Sequence, residues 1–243
     1  MTVKYLNLPL SLQVEEICPF LGLTVEALQP DLEELLKQAV RKVSQLAQPK
    51  GAYAHFAVKQ INSDKITLSD TNLQIEGSQT LPHFVSCQRV TLLAVTLGKE
   101  ITNVLEELSQ TKISQAVLLD ATASAAAENL AEQLDALITG EIRRKGFYPT
   151  ARFSPGYSDW NLSWQKKLLE SLDGEKIGLG LTPYNLLEPI KSITAAIGWS
   201  SEPVTRNYEL PNRLKPCQGT ESCPHCPLSA TCQSSLQPRL AKQ

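Results

Sequence analysis

Two stretches of the 243-residue chain carry side chains spaced for chemistry. The first is Cys217-x5-Cys223-x2-Cys226-x5-Cys232, four thiols within sixteen residues. The Cys223-Pro-His-Cys226 step lets two thiolates reach one metal atom, and four thiolates suit tetrahedral zinc or an iron–sulfur cluster. His225 could replace one of them. The alternative is a tail of reduced cysteines that holds no metal. The second stretch is Arg152-Phe-Ser-Pro-Gly-Tyr157. An arginine beside a Pro-Gly turn offers a rigid fork for a carboxylate, and the turn's N–H groups and the Tyr157 ring could hold a polar ligand with a planar part. The alternative is a surface loop whose arginine caps a helix end.

The elements that must position these residues read as a mixture. Asp31–Leu46 places Leu32, Leu35, Leu36, Val40, Val43 and Leu46 on one face of a helix, with acidic residues in its first turn. Residues 53–58, 65–68, 73–75 and 90–97 read as strands, the last apolar enough to be central and buried on both faces. Gly98 opens a helix to about Ser109, and a longer helix spans Ile113–Ile142. That helix carries the small-residue run 121–127 and a face with Glu128, Glu132 and Asp135, which either stabilise the fold or address a ligand. Residues 163–172 form a helix with Ser163 as its N-cap, and 177–181 and 193–199 read as strands. Ser11–Leu23 precedes all of this, broken at Cys18-Pro19, after an extended start that ends in Pro9. The pattern lacks the regular beat of a doubly wound sheet, so the fold class is α+β: a main domain over 1–200 and a Cys-rich irregular tail over 201–243.

Composition narrows the function. A net charge of -2, from 23 Lys+Arg against 25 Asp+Glu, argues against a nucleic-acid binder or a polybasic membrane-surface protein. No apolar run approaches the roughly 20 residues of a membrane span, and the N-terminus lacks a signal-peptide pattern, so a cytoplasmic protein is expected. Phosphate-loop, dinucleotide and G-x-S-x-G signatures are absent, and none of His55, His83 and His225 sits in an H-E-x-x-H arrangement. A hydrolase built on histidine is not expected.

The motifs taken together resemble a known family. Arg152–Tyr157, Gln165–Asp173, Ile177–Thr182 and Pro189–Ala195, with Pro19–Gly22, Val95–Gly98 and Leu118–Glu128 upstream, are similar to the activation domain of vitamin B12-dependent methionine synthase and closest to its stand-alone relatives. The resemblance runs from about Cys18 to Ser200. It implies a single curved domain with a central antiparallel sheet flanked by helices, and a shallow groove for S-adenosylmethionine. The implied role is repair of oxidised cob(II)alamin by reductive methylation, the corrinoid arriving on a methyltransferase partner, since no D-x-H-x-x-G segment is present. By resemblance Arg152 meets the ligand's carboxylate, Phe153 and Ser154 offer backbone contacts, Tyr157 completes the motif, Glu128 faces the amino group and Tyr184 stacks on the adenine. A flavodoxin- or ferredoxin-type reductant is implied, with the cysteine tail as an internal electron path. Two positions depart from the family: Pro183 replaces a glutamate, and Ser158-Asp159-Trp160 stands where a histidine is usual. The competing expectations are a docking module that grips a corrinoid protein without using S-adenosylmethionine, and a zinc-tailed structural protein.

Overall fold

The apolar runs of the sequence meet in one antiparallel sheet, seen in a computed structural model that describes residues 2–204. Its strands are β1 (Lys4–Asn7), β2 (Lys50–Ile61), β3 (Lys65–Leu68), β4 (Gln74–Glu76), β5 (Cys87–Thr96) and β6 (Tyr148–Pro149), followed after a small separate hairpin, β7 (Gly180–Leu181) and β8 (Leu187–Glu188), by β9 (Ser192–Ser200). The order is β4-β3-β2-β5-β9-β6, with β1 on the same edge of β2 as β3. The sheet curls into a half-barrel, and four helices flank it among the described residues: α1 (Pro30–Leu46), α2 (Lys99–Thr111), α3 (Ile113–Arg144) and α4 (Trp164–Leu172).

Period-two alternation divides the core into two layers that share the same strands. On one face Tyr53, Leu93, Val95, Ala195, Ile197 and Trp199 pack against α1, α2 and α3. On the other Ala52, Ala54, Phe56, Leu92, Ala94 and Ala196 pack with Trp160 and with Leu168, Leu169 and Leu172 of α4. The register Tyr53↔Leu93↔Ala195 keeps each set in line across three strands. β5 is central and buried on both faces, as its sequence predicts. In α3 the run Ala121–Ala127 is buried except at Ser124, and its small side chains bring the helix close to the sheet.

Three local expectations are corrected. Residues 177–181 are not a strand: Gly174–Ile177 forms a 3-10 turn, Gly178 takes φ +80°, and only Gly180 and Leu181 pair, with β8. A continuous apolar run in a Gly-rich stretch reads as a strand, but these glycines supply turns. Ser163 occupies the N-cap position of α4 with helical φ and ψ, and its hydroxyl caps nothing; its N–H instead donates to Asn161 Oδ1 at 2.9 Å. Leu35, expected on the buried face of α1, is exposed, and that face runs through Leu36, Ala39 and Val43. Among the described residues no helix is long and apolar enough to cross a membrane.

Candidate functional site

Arg152 is placed by a segment that runs antiparallel along β9. Thr150 N–H donates to Gly198 O at 3.0 Å, and Phe153 exchanges both backbone bonds with Ala196, at 2.9 and 2.7 Å. Along this extended stretch alternate side chains face opposite layers. Phe153 turns to the α4 side, its ring 4.5 Å from that of His83 and 6.2 Å from that of Phe84. Arg152 turns to α3. Ser154 Oγ then donates to the Thr194 carbonyl at 2.6 Å, fixing the start of the Ser-Pro-Gly-Tyr turn to the same strand.

The turn is held from its far end as well. Gly156 adopts φ +88°, a conformation that favours glycine, and its N–H donates to Trp160 O at 2.7 Å, while Tyr157 N–H donates to Ser154 O at 3.1 Å. Trp160 is buried in the α4-side core, and its indole N–H donates to Gln74 O. Asp159 accepts from Gln79 N–H, Thr80 N–H, Ser78 Oγ and Thr80 Oγ1 at 2.9–3.1 Å. Thus the Ser158-Asp159-Trp160 sequence that departs from the family pattern ties the motif to β4 and the turn after it.

Opposite Arg152, Glu128, Glu132 and Asp135 form a stripe on α3 at i, i+4 and i+7 spacing. The guanidinium spans the stripe: Nη2 lies 3.3 Å from Glu128 Oε2 and Nε lies 3.8 Å from Asp135 Oδ2. Asp135 is buried and also accepts from Thr139 Oγ1 at 3.1 Å. Partial desolvation raises the Glu132 carboxyl above its ordinary value against the pull of Arg152, and the charges of Glu128, Glu16 and Asp135 push the same way. One fork therefore faces an excess of carboxylates. A ligand bearing both a carboxylate and an ammonium group could exchange into this arrangement, its carboxylate on Arg152 and its ammonium beside Glu128.

The six residues expected to bind ligand do not all converge. Arg152 and Glu128 are in contact, and Phe153, Ser154 and Tyr157 hold the loop that carries Arg152. Tyr184 stands 81% exposed at the tip of the β7–β8 hairpin, where its N–H donates to Thr182 Oγ1 at 3.3 Å. None of the six lines the open cleft of about 640 Å³ between α4 and that hairpin, whose apolar floor is Leu169, Leu179 and Leu181. Cys217, Cys223, Cys226 and Cys232 lie outside the described residues. Within these, no group of three His, Cys, Asp or Glu side chains is placed to hold a metal ion, and Cys18 and Cys87 are buried free thiols.

Sequence reasoning missed two polar groupings. Lys191, nearly buried, pairs on α3 with Asp120 at 2.7 Å and with Ser124 at 2.8 Å, the second of these one turn before Glu128. His55 joins Thr91 and Glu141 beneath the same helix. The usable signal for His55 was the strand alternation that puts it on one face with Tyr53; nothing local pointed to Glu141, 86 residues away.

Comparison with known proteins gives a fold and no more. No protein-family model matches the chain, and no curated protein does. Among solved structures it is similar to the crystal structure of the MetH reactivation domain bound to AdoHcy, with a TM-score of 0.63 and 17% identity over 84% of this chain and 80% of that one. The fold is activation-domain-like.

Proposed function

We propose that this chain binds S-adenosylmethionine by its amino-acid end at Arg152 and presents it to a corrinoid carried by a partner methyltransferase. The carrying observation is the Arg152 fork, fixed to β9 and set against the α3 carboxylates in a fold shared with a domain whose structure holds AdoHcy. The bound ligand would supply an electrophilic methyl group. The chain's part is binding and orientation: Arg152 takes the carboxylate, Glu128 the ammonium, and the Phe153–Tyr157 loop holds the fork in place. Tyr184, exposed on its hairpin, would close on the adenine from outside.

Calorimetric titration of the anaerobically purified protein with S-adenosylmethionine tests this. Saturable binding that weakens at least about tenfold in Arg152→Lys is expected, because lysine keeps the charge and loses the two-pronged geometry. No saturable binding at millimolar ligand would overturn it. One observation favours a second reading, a docking module that makes no use of S-adenosylmethionine. Arg152 already has carboxylate partners, and the exposed Tyr184 and Leu186 of the hairpin, with Ile190 just beyond it, offer apolar contact area. Under that reading the titration is flat and a corrinoid methyltransferase still binds.

The tail cysteines extend the proposal. Four thiolates at this spacing would hold an iron–sulfur cluster that passes electrons toward the corrinoid partner, fed by a flavodoxin- or ferredoxin-type protein. Iron, labile sulfide and brown colour are expected after anaerobic purification. Zinc alone would leave the tail a structural centre.

A further inference from the structure

Five elements meet beneath the C-terminal half of α3 in a polar network that the proposed binding role does not use. Trp199 Nε1 on β9 lies 2.7 Å from Thr91 Oγ1 on β5, which lies 2.9 Å from His55 Nδ1 on β2. His55 Nε2 lies 3.1 Å from Glu141 Oε2 on α3. The other oxygen of Glu141 accepts from Tyr53 Oη at 2.8 Å and from Lys4 Nζ of β1 at 2.9 Å. His55 also packs edge-on against the rings of Tyr53 and Trp199.

The donor inventory fixes the direction of every proton in this chain. An indole N–H only donates, so Thr91 Oγ1 accepts from Trp199. Burial pushes the Glu141 carboxyl up, but the hydrogen bonds of Lys4 and Tyr53 outweigh it and hold the group below its usual range, so it is ionised and only accepts. His55 therefore carries its proton on Nε2, and its bare Nδ1 accepts the Thr91 hydroxyl proton. Trp199, Thr91, His55 and Glu141 donate in one continuous direction.

We propose that His55 is a proton-operated clamp: in its neutral form it closes the Trp199–Thr91–His55–Glu141 relay that runs from β9 to α3, and a second proton breaks that relay at Thr91 while the bond to Glu141 stays. That proton goes to Nδ1 and points at Thr91 Oγ1, which already accepts from Trp199. Thr91 is fully buried, so its own hydroxyl hydrogen loses its acceptor, a cost of the kind attached to an unsatisfied buried donor. The charged groups facing His55 are Lys4 from β1, Arg89 from β5 and Glu141 from α3, with the Tyr53 phenol beside it on β2. Desolvation opposes a charge on His55; Glu141 favours one, and Lys4 and Arg89 add to the opposition. The balance sits below the ordinary histidine value. Because α3 carries Glu128 and Asp135, and β9 carries the Ala196 that anchors Phe153, the relay joins the two elements that support Arg152.

The sign follows by linkage. The unfolded chain takes up the proton near the ordinary histidine value of about 6.5, while the folded one resists it, so the clamp's stabilisation is complete above that pH and declines as pH falls toward the folded midpoint. Nitrogen-detected NMR of the full-length protein from about pH 4.5 to 8, with His55→Gln identifying the resonances, tests it. The expected results are an Nε2–H tautomer, a midpoint below 6.5, and acid-dependent loss of exchange protection at the strand amides around His55 and Thr91. After correction for intrinsic rates, the loss should reach about tenfold per pH unit of depression. His55→Gln still donates to Glu141 but cannot titrate, and should abolish the part of the pH dependence that falls in the histidine range. An Nδ1–H tautomer, a midpoint at or above 6.5, or unchanged acid sensitivity in His55→Gln would overturn the clamp. Should that variant not fold, contacts between the Trp199 indole and the His55 ring assign the wild-type signals, and the tautomer alone decides.

Discussion

Arg152 does two jobs, and they call for different substitutions. Arg152→Ala removes the guanidinium from two α3 carboxylates, and Asp135 is buried, so a stability loss of about 1–3 kcal/mol is expected beside any loss of ligand. Arg152→Lys keeps a cation against the stripe, and its thermal midpoint should stay close to that of the wild type while S-adenosylmethionine binding falls. Differential scanning fluorimetry of the two variants beside the titration separates the jobs; equal destabilisation of both would show that the fork's geometry, and not its charge, supports the fold. At this scale much was legible. An arginine before Pro-Gly and carboxylates at helical spacing are local patterns, and the fold brings Arg152 and Glu128 together. His55 was not legible, because its role depends on Thr91, Glu141 and Trp199, which are far apart in the chain and meet only through strand pairing and helix packing.

The loop between Arg152 and α4 works as an element without regular structure of its own. From 80 residues further along the chain, Asp159 accepts from the backbone N–H groups of Gln79 and Thr80, just ahead of the 3-10 turn Leu81–His83, and the ring of His83 rests on Phe153. Burial pushes the Asp159 carboxyl upward, but donors from Gln79, Thr80 and Ser78 outweigh it and hold it below the usual carboxylate value. A depressed carboxyl stabilises the fold above its unfolded value and loses that contribution as pH falls through the folded one. Asp159→Ala removes an exposed, solvent-screened acceptor of four hydrogen bonds, so a cost of about 1 kcal/mol and a midpoint lower by about 2–4 °C are expected. Hydrogen exchange should quicken at Gln79 and Thr80; unchanged exchange there would show that water replaces the carboxylate without loss. Element boundaries were legible where hydrophobic periodicity was strong, in α1, β3, α3 and β9. They were not legible at β6 and β8, which have two residues each and exist because β9 and β7 offer free edges, nor at 174–181, where glycines turn an apolar run.

The two core layers use opposite faces of the same strands, and this has a consequence for how the molecule comes apart. Neighbouring residues Tyr53 and Ala54 of β2, Leu92 and Leu93 of β5, and Ala195 and Ala196 of β9 belong to different layers. Pulling α1–α3 from the sheet exposes side chains whose backbone also carries the α4 layer, so neither layer can melt while its strands stay in register. One cooperative unit is expected. Two thiols sit where they can report on it. Cys18, fully buried in the 3-10 turn Cys18–Leu21, lies on the α3 side, and Cys87 at the start of β5 belongs to the α4 layer. Desolvation raises both, Cys87 to about 12, so neither reacts as a thiolate in the native state at neutral pH. Pulsed alkylation across a denaturant series, read by peptide mass for each cysteine, should show Cys18 and Cys87 becoming reactive with the same midpoint and slope. Cys18 labelling at lower denaturant than Cys87 would mean that the helical layer opens by itself, and the shared strands would then be a hinge between two units.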